Sequence, residues 1–278
     1  MAIKALAFDI DGTLTNDQKV VTPRTKAAIM AAQEAGITVI LASGRPAFGL
    51  KALARELELD RHHGLLIAFN GATVVDAATD EVLFDRALTP DEVQRVLAHV
   101  RCFDVIPMIT HGDELLVEDV FAEPILHHGV PMSIIKYEAR ACNLHPREVG
   151  DLAAFCTGPE NKILTAGTDT YLQDHWREMY EPFRAELTGM FTADFYFEFT
   201  ARGISKGQAL AGALPKRGID ASELAAFGDS QNDVAMLRYA GVGVAMANAT
   251  DEVKGVADMV CGSNNEDGIA DALAQLLG

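Results

Sequence analysis

Three strand-length apolar runs separated by amphipathic stretches set the fold class at the amino terminus. They are IKALAFDI (3–10), ITVILAS (37–43) and GLLIAFNGATVVD (64–76), the last running into a Gly turn. The second run has almost no polar interruption, the pattern of a strand buried on both faces of a parallel sheet. The stretch after the first run reads as a helix. Thr22 can cap it, Pro23 suits its first position, and Gly36 stops it after RTKAAIMAAQEA. AFGLKALARELEL (47–59) is a second helix. Strand–helix–strand at this spacing requires right-handed crossovers and therefore a parallel sheet. The texture returns late in the chain, where LAAFGD (224–229), VGVAM (242–246) and DMVCG (258–262) read as strands. NDVAMLRYA (232–240) and DGIADALAQLL (267–277) read as helices between and after them. The reading is an α/β protein with a Rossmann-like parallel-sheet core.

The middle of the chain has another character. Residues 84–190 hold 9 alanines in 107 positions, against 33 in 171 for the flanks, and seven of the ten prolines. A chain of 278 residues also exceeds the ~100–150 of the commonest domain size. The expectation is a core domain formed by 1–83 and 191–278, with 84–190 as a large inserted α/β domain. Within the insert, TPDEVQRVLAHV (89–100) opens with Thr89, Pro90 and Glu92 in capping-box order. ELLVEDV (114–120) and NKILTAG (161–167) read as strands, and TDTYLQDHWREMY (168–180) as a helix that Pro182 ends. The aromatic run FTADFYFEF (191–199) reads as a strand returning to the core.

Composition excludes several function classes. Hydrophobic residues at 49% and charged ones at 23% describe a folded chain, not a disordered one. The formal charge of −17 is the wrong sign for gripping nucleic acid. No apolar run is long enough to span a membrane, and Asp9 interrupts the amino-terminal run before a signal-type region develops. Cys102, Cys142, Cys156 and Cys261 form no Cys-x-x-Cys motif, so a reducing cytoplasmic setting is expected.

Four segments carry candidate chemistry. In FDIDGTLT (8–15), Asp9 closes a buried strand and Asp11 follows at the spacing that keeps two side chains on one side of an extended chain. An Asp-Gly turn after a strand would look the same. LASGR places Ser43, Gly44 and Arg45 directly after the second strand, where a hydroxyl and exposed N–H groups can cradle an anion. GISKG puts Lys206 at the start of a helix, against the macrodipole, which favours a nearby anion over a bare solvated ammonium. In FGDSQND (227–233), Asp229 ends an apolar strand, while Asn232 and Asp233 open the next helix, where an acid is also an ordinary cap. Ligands of open parallel sheets bind beyond the carboxyl ends of the strands, so the four segments converge by topology. Carboxylates crowded there need a hard cation, and Mg²⁺ suits a few carboxylates with water and substrate phosphate.

The chain resembles the haloacid dehalogenase superfamily phosphatases of the Cof-like group, whose members carry a large α/β cap inserted after the third core strand. DIDGT, a Ser after the second strand, a Lys before a helix and GDSQND match in order. AGVGVAMANA (240–249) and SNNEDGIA (263–270) resemble the group's carboxy-terminal segments, with Ala247 where the group often has Gly. The resemblance implies an Mg²⁺-dependent phosphatase acting through an aspartyl-phosphate, with Asp9 as nucleophile and Asp11 as general acid and base. It implies Asp9, Asp11 (chiefly its backbone carbonyl) and Asp229 as metal ligands. Ser43, Gly44, Lys206 and Asn232 would bind the phosphoryl group, and Asp233 would orient Lys206 or metal waters. Arg45 and Asn70 lie where they could touch substrate. The expected partner is a small phosphorylated metabolite, a sugar phosphate or a relative of one. A phosphomutase using the same covalent intermediate, and a non-catalytic metabolite binder, are the competing functions. Intact Asp9, Asp11, Lys206 and Asp229 weigh against the binder.

His62-His63 and His127-His128 are pairs of neighbours. On a strand such neighbours point to opposite faces, and neither pair has a carboxylate at ligand spacing in sequence. No metal is expected at either.

Overall fold

The computed structural model describes residues 2–278. The chain opens with β1 (Ala5–Asp9), α1 (Pro23–Glu34), β2 (Thr38–Ala42), α2 (Ala47–Glu56) and β3 (Leu65–Ala68). The Thr22 hydroxyl caps α1 by accepting from the N–H of Thr25. The run expected as one third strand folds back on itself: β4 (Thr73–Asp76) pairs antiparallel with β3, and β5 (Val82–Asp85) pairs antiparallel with β4. The reversal falls at Phe69 and Asn70, which take φ of 51° and 56°, followed by Gly71 at 109°. Two left-handed non-glycine residues in succession let a turn replace a strand here.

The middle of the chain holds α3 (Pro90–Val100), β6 (Ile106–His111), β7 (Glu114–Val117), β8 (Ile125–His127), β9 (Val130–Met132) and α4 (Ile134–Cys142). β10 (His145–Glu148), α5 (Leu152–Phe155), β11 (Ile163–Ala166), α6 (Asp169–Tyr180), β12 (Leu187–Ala193) and β13 (Tyr196–Ala201) follow. Thr89 and Glu92 form the capping box of α3. Six strands make a sheet in the order β10-β7-β6-β11-β13-β12, and β8 pairs with β9 alone. One sheet face buries Ile163, Phe197 and Phe199 against Val93, Leu97, Leu172 and Met179 of α3 and α6. The return to the core expected at residue 191 is corrected. β13 pairs with β11, Ile163 opposite Phe199, so the aromatic run completes this second sheet. An alanine and proline count cannot register a hairpin whose partner strand lies thirty residues upstream.

The chain then forms α7 (Lys206–Ala213), β14 (Leu224–Gly228), α8 (Val234–Tyr239), β15 (Val242–Ala245), α9 (Asp251–Lys254), β16 (Met259–Val260) and α10 (Gly268–Leu277). Contacts divide the chain into two units, residues 2–85 with 205–278, and residues 86–204. The first unit holds an eight-stranded sheet ordered β16-β15-β14-β1-β2-β3-β4-β5. Its first six strands in that order run parallel, and β4 and β5 form the antiparallel edge. β1 lies centrally with Phe8 beside Phe227 of β14 and Asp9 beside Ala42 of β2. The strand order reverses at β1, so a crevice opens past its carboxyl end, where Asp9, Ser43 and Asp229 emerge together. Among the described residues no helix is long and apolar enough to cross a membrane.

Candidate active site

The site begins with a wholly buried lysine. Lys206 is 0% exposed at the first turn of α7. Its Nζ donates to Asp9 Oδ1 at 2.5 Å and to Asp233 Oδ1 at 2.7 Å. α7 can bring it there because Gly207 packs directly on α8, where a Cβ would stand 2.3 Å from the Ala235 carbonyl oxygen. Asp233 is also 0% exposed, and its Oδ2 accepts from the N–H groups of Asp229 and Ser230. Its carboxylate is thereby held at both oxygens. Burial opposes the charge on Lys206, but Asp233 and Asp9 outweigh it and raise the ammonium above its ordinary range.

Asp229 completes the cluster. Thr13 Oγ donates to its Oδ1 at 2.9 Å, and Ser230 Oγ to its Oδ2 at 3.0 Å. Gly12 makes the approach possible. Its φ is +87°, and a Cβ there would lie 2.6 Å from Asp229 Oδ2. One carboxylate oxygen each from Asp9, Asp229 and Asp233 lie within 4.8 Å of one another. Burial pushes Asp9 up to about 8; Lys206 resists this, while Asp233 and Asp229 add repulsion. Burial also raises Asp229. With all three ionised, the carboxylates exceed the one ammonium by two negative charges, and every donor is a hard oxygen. That donor set and charge deficit fit a hard divalent cation such as Mg²⁺.

Asp11 behaves differently from the expected side-by-side carboxylate. β1 stops at Asp9, so the two-residue alternation that would align Asp11 with it ends too. The Asp11 carboxylate instead accepts from Arg45 at 2.8 and 2.9 Å and from Lys19 at 2.9 Å. Burial would raise it, but Arg45 and Lys19 hold it below the usual carboxylate range. The third member of the carboxylate cluster is Asp233.

The anion-side residues form one knitted wall. Ser43 is buried, and its Oγ accepts from the Arg45 N–H at 3.2 Å. The Asn70 N–H donates to the Ser43 carbonyl, and the Phe69 N–H to that of Arg45. Gly44 lies against the Asn70 side chain, where a Cβ would be 3.1 Å from Nδ2. Asn232 Nδ2 donates to Asn70 Oδ1 at 3.1 Å. Gly71 rests on the entry to α7, a Cβ there falling 2.3 Å from the Ser205 carbonyl oxygen. Ser43, Gly44, Arg45, Asn70 and Asn232 are thus joined to one another, just past the end of β2, whose Ala42 pairs with Asp9.

Several contributing residues escaped sequence reasoning. Thr13 stood inside the DIDGT segment without a role. Asn248 Nδ2 donates to the Gly12 carbonyl at 2.7 Å, and its Oδ1 accepts from the Asn264 N–H. Asn264 Nδ2 donates to the Thr15 carbonyl at 3.0 Å. These asparagines come from the two carboxy-terminal segments noted above, and they hold the loop that carries Asp11 and Gly12. The signal was visible as a family likeness, but the contact partners lie some 236 to 249 residues away.

The family model of haloacid dehalogenase-like hydrolases matches residues 6–273. A candidate phosphatase of Streptococcus pyogenes serotype M6 is 30% identical over 280 residues, covering 98% of each chain. The 5-amino-6-(5-phospho-D-ribitylamino)uracil phosphatase YcsE of Bacillus subtilis is 30% identical over 273 residues, covering 98% of this chain and 94% of its own. The crystal structure of a haloacid dehalogenase-like hydrolase from Bacteroides thetaiotaomicron superposes with a TM-score of 0.89 at 29% identity, covering 99% of each chain.

Proposed function

The chain belongs to the haloacid dehalogenase-like hydrolases and is a phosphoric monoester hydrolase, and on that premise we propose that Asp9 is the nucleophile of an Mg²⁺-dependent phosphatase acting on small phosphorylated metabolites. The observation that carries the reading is the buried Lys206 between Asp9 and Asp233. A buried ammonium with a surplus of carboxylates is poised for one cation and one phosphoryl group together.

In the proposed reaction Lys206 fixes Asp9 in direction and favours its ionised form against burial. A carboxylate oxygen of Asp9 attacks phosphorus, the bond to the ester oxygen breaks, and Asp11 supplies that oxygen with a proton. Water then attacks the phosphorus of the aspartyl-phosphate and gives a proton to Asp11. The bond to Asp9 breaks, and inorganic phosphate leaves. Asp11 must leave Arg45 and Lys19 to act as the acid, since both cations favour its ionised form. Asp9, Asp229 and the backbone carbonyl of Asp11 would hold Mg²⁺, whose charge would offset that of the phosphoryl oxygens. Ser43, the N–H of Gly44, Lys206 and Asn232 bind those oxygens. Asp233 works through Lys206, because both of its carboxylate oxygens are already engaged.

The residues so placed all belong to the first unit and address the phosphoryl group, its counter-ion or the ester oxygen. We assign discrimination among leaving groups to residues 86–204. The phosphoribityl group in the name of the Bacillus relative supports a phosphorylated polyhydroxyl compound, a sugar phosphate or a close relation, as substrate.

The test is Asp9→Asn in a screen of phosphorylated metabolites with Mg²⁺. Turnover should fall by about 10⁴-fold or more, the scale seen when a covalent nucleophile is removed. Wild-type protein with beryllium fluoride and Mg²⁺ should trap an acyl-phosphate mimic on Asp9. Substantial activity in purified, folded Asp9→Asn would sink the assignment.

A further inference from the structure

A second cluster of metal-type side chains lies within residues 86–204, apart from the carboxylates of the first unit. The β8–β9 hairpin turns at His128 and Gly129, with φ of 50° and 79°. Two successive positive φ values make the tight turn that suits a two-residue hairpin. The turn also cancels the strand alternation that would point His127 and His128 to opposite faces. Their ring centroids lie 4.1 Å apart. A carboxylate arrives from another hairpin: Asp194, in the turn between β12 and β13, brings Oδ2 to 3.8 Å from His128 Nε2. One ligand atom each from His127, His128 and Asp194 lie within 4.8 Å of one another.

The histidines are supported from behind. The Asp169 carboxylate at the start of α6 accepts from the His128 backbone N–H at 2.8 Å and lies 3.2 Å from His128 Nδ1. Its other oxygen accepts from the Thr170 N–H. A carboxylate so placed calls for the proton on Nδ1 and leaves the Nε2 lone pair facing Asp194. A carboxylate behind a ligating histidine is the usual means of fixing tautomer and ring direction. The Leu126 N–H, donating to Thr168 Oγ, ties the same hairpin to α6. His127 stands edge-on to Phe195 at 4.7 Å, a ring that is itself buried.

We propose that His127, His128 and Asp194 form a binding site for a borderline divalent metal, Zn²⁺ foremost, with Asp169 as its positioning residue and one coordination position open. Two imidazoles and one carboxylate select this class, whereas the all-oxygen cluster of the first unit selects Mg²⁺. Tetrahedral ligands at Zn²⁺ distances are about 3.3 Å apart, so rotation of the Asp194 and His127 side chains closes the set around an ion while His128 stays on Asp169.

The experiment is calorimetric titration of untagged full-length protein with Zn²⁺ in excess Mg²⁺, which occupies the oxygen cluster. Co²⁺ absorption then serves as a report on nitrogen ligation. Wild type should take up one Zn²⁺, and the Co²⁺ complex should show the intense visible bands of a nitrogen-containing tetrahedral site. His127→Ala/His128→Ala, checked for folding by circular dichroism, should lose that binding. Asp169→Asn should weaken it by about 10–100-fold, the usual effect of removing such a supporting carboxylate. Unchanged Zn²⁺ affinity in the double variant would overturn the site. Binding that survives there but disappears in Asp229→Ala would overturn it equally, by placing the ion in the first unit.

Discussion

Asp233 holds Lys206 at 2.7 Å through one carboxylate oxygen while its other oxygen takes two backbone N–H groups at the end of β14. The lysine is therefore aimed by the strand-to-helix turn that also carries Asp229. Removing the ammonium should expose how much charge it offsets. Lys206→Met leaves Asp9 and Asp233 buried without a counter-charge, which should cost about 3–5 kcal/mol. The thermal midpoint should fall sharply at pH 8. Acidification toward pH 5 should restore part of it, because protonated carboxyls need no partner. An equal loss at both pH values would count against charge as the cause.

Cation binding should depend on pH in a defined direction. Burial raises Asp9 to about 8, so the proton stays on it in the metal-free protein over the range where a free carboxyl would have lost it. A raised folded value means that this group's contribution to stability is full below about pH 4 and is lost as pH climbs through about 8. Mg²⁺ competes with that proton. The thermal shift produced by saturating Mg²⁺ should therefore grow from pH 5 to pH 8.5. Chelator should abolish activity, Mg²⁺ should restore it, and Ca²⁺, with longer and looser coordination, should restore it poorly. A Mg²⁺ shift that shrinks with rising pH would contradict the placement of Asp9.

Gly12 offers a test of geometry with no change of charge. At φ +87°, with Asp229 Oδ2 at 2.6 Å from the position of a Cβ, Gly12→Ala meets both backbone strain and a clash. The backbone strain should cost about 1 kcal/mol or more. Displacement of Asp229 should also weaken Mg²⁺ activation, read as a higher half-saturating Mg²⁺ concentration. An unaltered Mg²⁺ curve would show that Asp229 does not need its present position.

Asp76, at the end of β4, predicts the acid limb of stability. Burial pushes its carboxyl up, but Arg217 and the N–H groups of Ala78 and Thr79 outweigh this and hold it at about 2. A depressed folded value gives stability that is full above about pH 4 and is lost as pH falls through about 2. Asp76→Asn should cost about 2 kcal/mol at pH 7, the worth of hydrogen bonds to a buried charge. The gap between variant and wild type should narrow as the pH approaches 2. A gap independent of pH would assign the effect to shape alone.

Much of the first unit was legible because its strands are short, apolar and terminated by the residues that matter. Asp9, Ser43 and Asp229 each follow directly on a readable strand, and topology alone gathers them. Lys206 was legible as a lysine misplaced against a helix dipole. That it lies wholly buried between Asp9 and Asp233 was not, since both carboxylates come from distant segments. The direction of the Asp11 side chain was missed for a local reason: β1 ends at Asp9, two residues before Asp11, so the alternation does not continue. The second sheet was harder. Its edge hairpin β12–β13 is held by pairing with β11 and by Phe197 and Phe199, which composition cannot assign to one domain or another. The His127-His128 pair was set aside on strand geometry that the left-handed turn at His128 does not obey.

The contact of Gly71 with the Ser205 carbonyl bears on how such an enzyme can be rebuilt. The insert leaves the first unit from β5, an edge strand, and the chain re-enters one residue before Lys206. Its two joints are therefore unequal. At residues 85–86 the chain leaves from β5, whose Phe84 packs against Gly212 of α7. At Ser205 the backbone is clasped by the loop that presents Asn70, and a shift of one residue would swing the buried ammonium out of line with Asp9. Exchange of the second unit among relatives, by evolution or by design, is then held most tightly to register at its exit.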